Sequence, residues 1–179
     1  MAELVTLAEA KAMLQSPDGD DGLVTDLIRR ASAAVESYTG RRFLHTDLTE
    51  LHDGGSKALI VRFRPVVQVQ RVVDTATGQE VPPDEYVVGY GAGLVLRRCG
   101  RWAEGPLRWQ VEYTAGYAAT VEGVPGDVKQ AVLQLVAAWY NRRDAGVRAE
   151  RIGDYSRDAE TGLPAQVREL LEPYVEVVV

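Results

Sequence analysis

Cysteine is almost missing from this chain. Cys99 is the only one among 179 residues, so no internal disulfide can form and a reducing compartment is expected. Histidine is nearly as scarce, with His45 and His52 alone. Neither a G-x-S-x-G elbow, an H-E-x-x-H helix, a Walker A loop nor a paired-cysteine pattern occurs, and each of those spacings is what its chemistry requires. No active site, metal or cofactor is therefore expected. No apolar run approaches the ~20 residues of a membrane span. Met1-Ala2-Glu3-Leu4 has neither the basic nor the apolar region of a signal peptide, so cytoplasmic synthesis without membrane insertion is expected. Lysine is scarce too, since seventeen of the twenty basic residues are arginine. Biased coding DNA is the plain cause; arginine forks that pair carboxylates at protein interfaces are the sharper one.

Charge is unevenly spread. Residues 1–40 carry three basic and seven acidic side chains, 41–113 carry ten and nine, and 114–179 carry seven and ten. Acidic ends around a balanced middle argue against a dedicated nucleic-acid binder. The length suits one domain, or one domain with an elaboration.

The organising stretch is 124–144. Pro125 suits a first helical turn and Asp127 the positive end of the helix dipole. Val128, Val132, Leu135 and Trp139 recur at helical spacing, with Leu133, Val136 and Tyr140 as a second stripe beside them. A helix apolar on two sides needs cover on both and should act as a hub. Before it, Thr6 and Glu9 form a capping box opening a short helix with Leu7, Ala10 and Leu14 inward. An acidic turn follows, with Asp20 or Asp21 as the next N-cap. The helix from about 22 to 39 then turns Leu23, Leu27, Ala31, Ala34 or Val35, and Tyr38 inward, and Gly40 stops it.

From residue 43 the period changes to that of strands: 43–51 as an edge, 58–63, 66–73, 86–88, 93–97 and 107–114, spaced by about ten residues with turn signals between. The expected fold class is α+β. Two N-terminal helices and the hub helix form a helical bundle, and an antiparallel sheet or small barrel of five or six strands is inserted between the second and third helices. Residues 1–145 make one domain, with a helical hairpin at 1–40, the β insertion at 43–114 and the hub at 124–144. Residues 146–179 make an extension: a polar, charge-alternating segment, a short helix from Pro164 to Leu171, and the β-prone tail Tyr174-Val-Glu-Val-Val-Val179.

Other clusters have plain readings. His45 and His52, seven apart, fall on opposite faces of a continuous strand, and two solvated histidines are expected. Gly89-Tyr-Gly-Ala-Gly93 leads into a strand rather than a helix, so it reads as a hairpin turn, not a phosphate cradle. Asp18-Gly-Asp-Asp-Gly22 lacks the glutamate of a calcium loop and reads as helix capping. Arg97, Arg98 and Arg101 surround Cys99 and precede Trp102. Such a tip could lower a thiol pKa or stack single-stranded bases; a solvated hairpin tip is the simpler reading. An enzyme could rest only on Cys99 or the histidines.

Several stretches, in order, resemble the head–tail connector (adaptor, or head-completion) proteins of tailed bacteriophages and gene-transfer particles. They are Val5-Thr-Leu-Ala-Glu-Ala-Lys11, Asp26-Leu-Ile-Arg-Arg-Ala-Ser-Ala-Ala-Val-Glu-Ser-Tyr-Thr-Gly40, Val111-Glu-Tyr-Thr-Ala-Gly-Tyr117, Val124-Pro125, Ala138-Trp-Tyr-Asn-Arg142 and Glu150-Arg-Ile-Gly-Asp-Tyr-Ser156. The resemblance implies a structural virion protein at the neck, made in the host cytoplasm, that forms a ring of roughly a dozen copies under the portal. The ring would extend the DNA channel, with DNA only as passing cargo, and dock the stopper or tail-completion protein. In the family the C-terminal region engages the portal. Here that assigns Arg148, Arg151, Ile152, Tyr155, Leu170, Leu171, Tyr174, Val177 and Val179 to portal or neighbour-subunit binding, and deleting 146–179 is expected to abolish it while leaving the rest folded. The β insertion is longer than the hairpin of shorter family members. The competing reading is an intracellular binding or regulatory module whose sheet takes a peptide or nucleic acid.

Overall fold

The computed structural model describes residues 3–14, 20–144 and 163–175. It divides into two compact units, a helical one (residues 1–40 and 121–179) and a sheet one (residues 41–120).

In the helical unit, α1 (Leu7–Leu14), α2 (Asp21–Thr39), α3 (Gly126–Asp144) and α4 (Ala165–Leu171) follow in chain order. The capping box that opens α1 is formed in both directions. The Thr6 amide donates to Glu9 Oε2 at 2.7 Å and the Glu9 amide to Thr6 Oγ1 at 3.2 Å, satisfying two donors the first turn leaves free. Glu9 also takes Lys129 Nζ of α3 at 2.8 Å, and this bond, with the cap, holds its carboxyl below the ordinary range. Leu4 and Val5, just ahead of α1, are fully buried, and the Leu4 amide donates to Ser32 Oγ on α2 at 3.0 Å.

Helix α2 ends where Gly40 enters the left-handed region (φ 68°) and donates its amide to Glu36 O. Its inward face is rotated by one residue from the sequence expectation. Val24, Leu27, Ile28, Ala31, Ser32 and Val35 are buried, whereas Leu23 and Tyr38 are exposed. Asp20 precedes the helix without capping it; its carboxylate accepts from Tyr140 Oη of α3 instead. Helix α3 contacts α1, α2 and α4 and buries Val128, Ala131, Val132, Leu135, Val136 and Tyr140. Leu133 and Trp139 are half-buried. That broad apolar face makes α3 the centre of its unit.

The sheet unit holds seven strands: β1 (Thr46–His52), β2 (Ala58–Ile60), β3 (Val66–Asp74), β4 (Gln79–Glu80), β5 (Tyr86–Gly89), β6 (Leu94–Arg97) and β7 (Trp109–Ala115). They form two antiparallel sheets, ordered β1-β7-β3-β4 and β2-β6-β5, and not the single sheet or closed barrel that strand spacing suggests. The inner faces share one core, with Leu59, Tyr86 and Val95 from one sheet and Val66, Val72, Trp109, Val111 and Tyr113 from the other. In β7 burial alternates strictly, Trp109, Val111, Tyr113 and Ala115 inward. In β3 it does not. Register shifts between Val66 and Gln68 and between Val69 and Arg71 set Val66, Val69 and Val72 opposite Ala115, Tyr113 and Val111. Each bulge adds a residue on β3 and keeps valine on the core side.

Candidate functional site

Helix α4 is short, and its spacing decides what it can do. Val167 and Leu171, four apart, are both buried, so one stripe of the helix is committed to its own unit, where it packs on α3. Gln166, Arg168 and Glu169 are exposed and Leu170 is half-buried. Pro164 ahead of the first turn sets the entry. A 3-10 turn, Glu172–Tyr174, continues the chain and leaves Tyr174 half-buried.

Between α3 and α4 lies an open cleft of about 480 Å³ lined by Gln130, Gln134, Gln166, Glu169 and Leu170. Three amides, one carboxylate and one leucine offer hydrogen bonds beside a small apolar foothold. That set suits docking a protein segment, and it holds no nucleophile paired with a base.

Of the residues assigned to partner binding from sequence, Leu170 lines this cleft and Tyr174 lies in the 3-10 turn that follows α4. Leu171 is fully buried within its own unit, so its side chain is spent on packing. Arg148, Arg151, Ile152, Tyr155, Val177 and Val179 lie outside the described residues. A cut at residue 146 would remove Val167 and Leu171 from the helical core, so the expectation that the remainder stays folded needs revision.

The basic tip of the sheet unit also changes meaning. Cys99 is exposed, but Trp102 is among the largest fully buried side chains. Its Nε1–H donates to Val95 O at 3.1 Å, and the Arg97 guanidinium lies over its ring, 5.1 Å from the centroid, while pairing Glu85 at 2.5 Å. A buried indole cannot stack on a base, so the reading of this tip as a single-strand contact falls away.

A family model described as head completion protein matches residues 3–177. The chain belongs to the head completion protein family. No curated protein matches it. Among solved structures, a chain from the virion of a native gene transfer agent particle matches with TM-score 0.74 at 20% identity, covering 98% of this chain and 91% of that one. A chain from the neck of an empty gene transfer agent particle, in C6 symmetry, gives 0.72 at 19%, covering 100% and 94%. One from the neck of the native particle in C12 symmetry gives 0.69 at 21%, covering 97% and 89%. At these identities the likeness establishes the fold, sheet unit included.

In this head completion protein, two polar clusters of the sheet unit escaped the sequence reading. Asp74 is buried and receives Arg108 through both nitrogens, Nε at 3.0 Å and Nη2 at 2.7 Å. That fork holds the Asp74 carboxyl below its ordinary pKa. Since Asp74 opens the hairpin loop to Gly78, it reads in sequence only as a turn residue. Glu50, on the core side of β1, accepts from Tyr113 Oη and, at 3.0 Å, from the Arg62 amide, with His52 Nε2 3.4 Å away. Burial raises the Glu50 pKa, but His52, Tyr113 and the amide together outweigh it and leave the group below the ordinary range. Burial, and then the bond to Glu50, push the Tyr113 phenol well up. His52 is thus a half-buried partner of Glu50 rather than a solvated side chain, whereas His45 is exposed as expected. Among the described residues no group of His, Cys, Asp and Glu is arranged to hold a metal ion.

Proposed function

We propose that this chain is a neck component of a tailed-phage or gene-transfer particle, a ring subunit under the portal that extends the DNA channel and docks the stopper or tail. Its C-terminal segment, with Leu170 at the α3–α4 cleft and Tyr174 in the turn after α4, together with Arg148, Arg151, Ile152, Tyr155, Val177 and Val179, engages the portal. The observation that carries this reading is the family match over nearly the whole chain. The chains of like fold come from virion and neck particles, which supports the same place. The net charge of −6 favours DNA sliding past over DNA held, because a basic lumen would bind phosphates strongly at low salt. Trp102 is buried, and with it goes the feature that favoured a separate nucleic-acid-binding module.

The test uses the full chain and purified portal protein. Leu170→Glu sets a charge on a half-buried cleft residue while leaving Val167 and Leu171 in place. Portal capture is expected to weaken by about tenfold or more, with the circular dichroism spectrum and melting temperature of the free chain kept. Undiminished capture by this variant would contradict the assignment of the cleft.

A further inference from the structure

The two sheets treat their outer faces differently. On β1-β7-β3 most outward side chains are polar, and several are paired: Arg71 with Glu112 at 2.6 Å, and Asp47 with Thr114 and Gln70; Leu51 and Val67 are the exposed apolar exceptions. That is the solvated face of an ordinary antiparallel sheet. The outer face of β2-β6-β5 is apolar. Register sets Ala58, Leu96 and Val87 in one row and Ile60, Leu94 and Gly89 in the next. Directly paired residues share a face, so the two rows stand opposite the buried row of Leu59, Val95 and Val88. Neither outer row holds a polar side chain, yet Ile60 is 63% and Val87 43% exposed, and Tyr90 in the connecting turn is 55% exposed.

An arginine stands at the edge of this patch. Arg62, two residues past Ile60, is exposed. Its guanidinium lies over the neighbouring Phe63 ring, 5.2 Å from the centroid. An exposed apolar centre with an arginine at its edge is the composition of a protein interface.

We propose that the outer face of β2-β6-β5 is the surface by which one copy of this chain packs on the next, an inference that rests on the ring assembly argued above. Two observations select a second copy as the occupant. The chains of like fold come from necks with C6 and C12 symmetry. In such closed rings each copy sets one face against a different face of its neighbour. The charge also matches: the helical unit carries seventeen acidic and ten basic residues, against nine and ten in the sheet unit. Every copy therefore brings an acid-rich unit that can meet the Arg62 edge and the balanced sheet unit of the next.

The experiment installs the photo-crosslinker p-benzoylphenylalanine at position 60 in particle-borne protein, with position 49, on the polar sheet face, as the control. Irradiated particles should give a product of two copies of this chain from position 60 and none from position 49. A product with a different particle protein alone, a crosslink only within the chain, or no crosslink at position 60 overturns the proposal, even with the chain present in the neck. Absence of the chain from the particles defeats the assembly reading itself and is a separate result. Alongside, I60D/V87D, both on exposed positions, should keep the melting temperature of the free chain and lower its copies per particle by about tenfold or more. Normal incorporation of that variant would also overturn the proposal.

Discussion

Replacing Trp102 with alanine is expected to destabilise the sheet unit by about 3–5 kcal/mol, the usual cost of emptying a large aromatic site in a core. The indole is 1% exposed and meets Trp109 edge-on at 4.9 Å and Tyr86 at 6.4 Å. Truncation would also remove the indole N–H that donates to Val95 O at 3.1 Å. The backbone on either side of the ring is fixed, the Trp102 amide donating to Ser56 O at 2.9 Å and its carbonyl accepting from Gly55 at 2.8 Å, so the site has little freedom to collapse. Urea denaturation followed by near-ultraviolet circular dichroism would read the loss, and an unchanged midpoint would contradict it. If this tryptophan served a partner instead, the variant would fold normally and fail only in binding.

Leu171→Ala is expected to destabilise the helical unit by about 2–5 kcal/mol, since a fully buried leucine is lost from the packing of α4 on α3. Leu170→Ala, one residue earlier and half-buried at the cleft, should cost far less. The contrast separates two roles that sequence assigned to one group. A helix of seven residues is too short to hold its shape alone, so α4 presents the cleft only because Val167 and Leu171 anchor it. Equal losses in thermal denaturation for the two variants would mean that Leu170 is packing too, and would remove it from the candidate surface.

How far the sequence could be read depended on whether a signal was local. The Thr6–Glu9 box, the Gly40 stop and the start of α3 after Pro125 each rest on a few neighbouring residues, and each is formed as the residues imply. Most strands were legible by alternation and turn residues, including the hairpin between β5 and β6. What failed was phase and partnership. In α2 the series through Leu23 and the series through Val24 share Leu27 and Ala31, so either could face inward; packing chose Val24 and Ile28 and, of Ala34 or Val35, the valine. In β3 two bulges reset the alternation, and a bulge is defined against a partner strand that the local sequence does not show. Trp102 looked like surface because arginines precede it, and its fate turned on Val95, Tyr86 and Trp109 at other points of the chain. At the candidate site, Leu170 and Leu171 were indistinguishable until the helix was placed on α3. The apolar outer face of β2-β6-β5 depends on three strands coming together, and no single strand declares it.

The most direct test of the account is quantitative mass spectrometry of density-purified, nuclease-treated particles from the culture that produces this chain. The account predicts the chain in those particles at roughly a dozen copies each, the number of a closed ring around the DNA channel. Intact particles that lack the chain would contradict it.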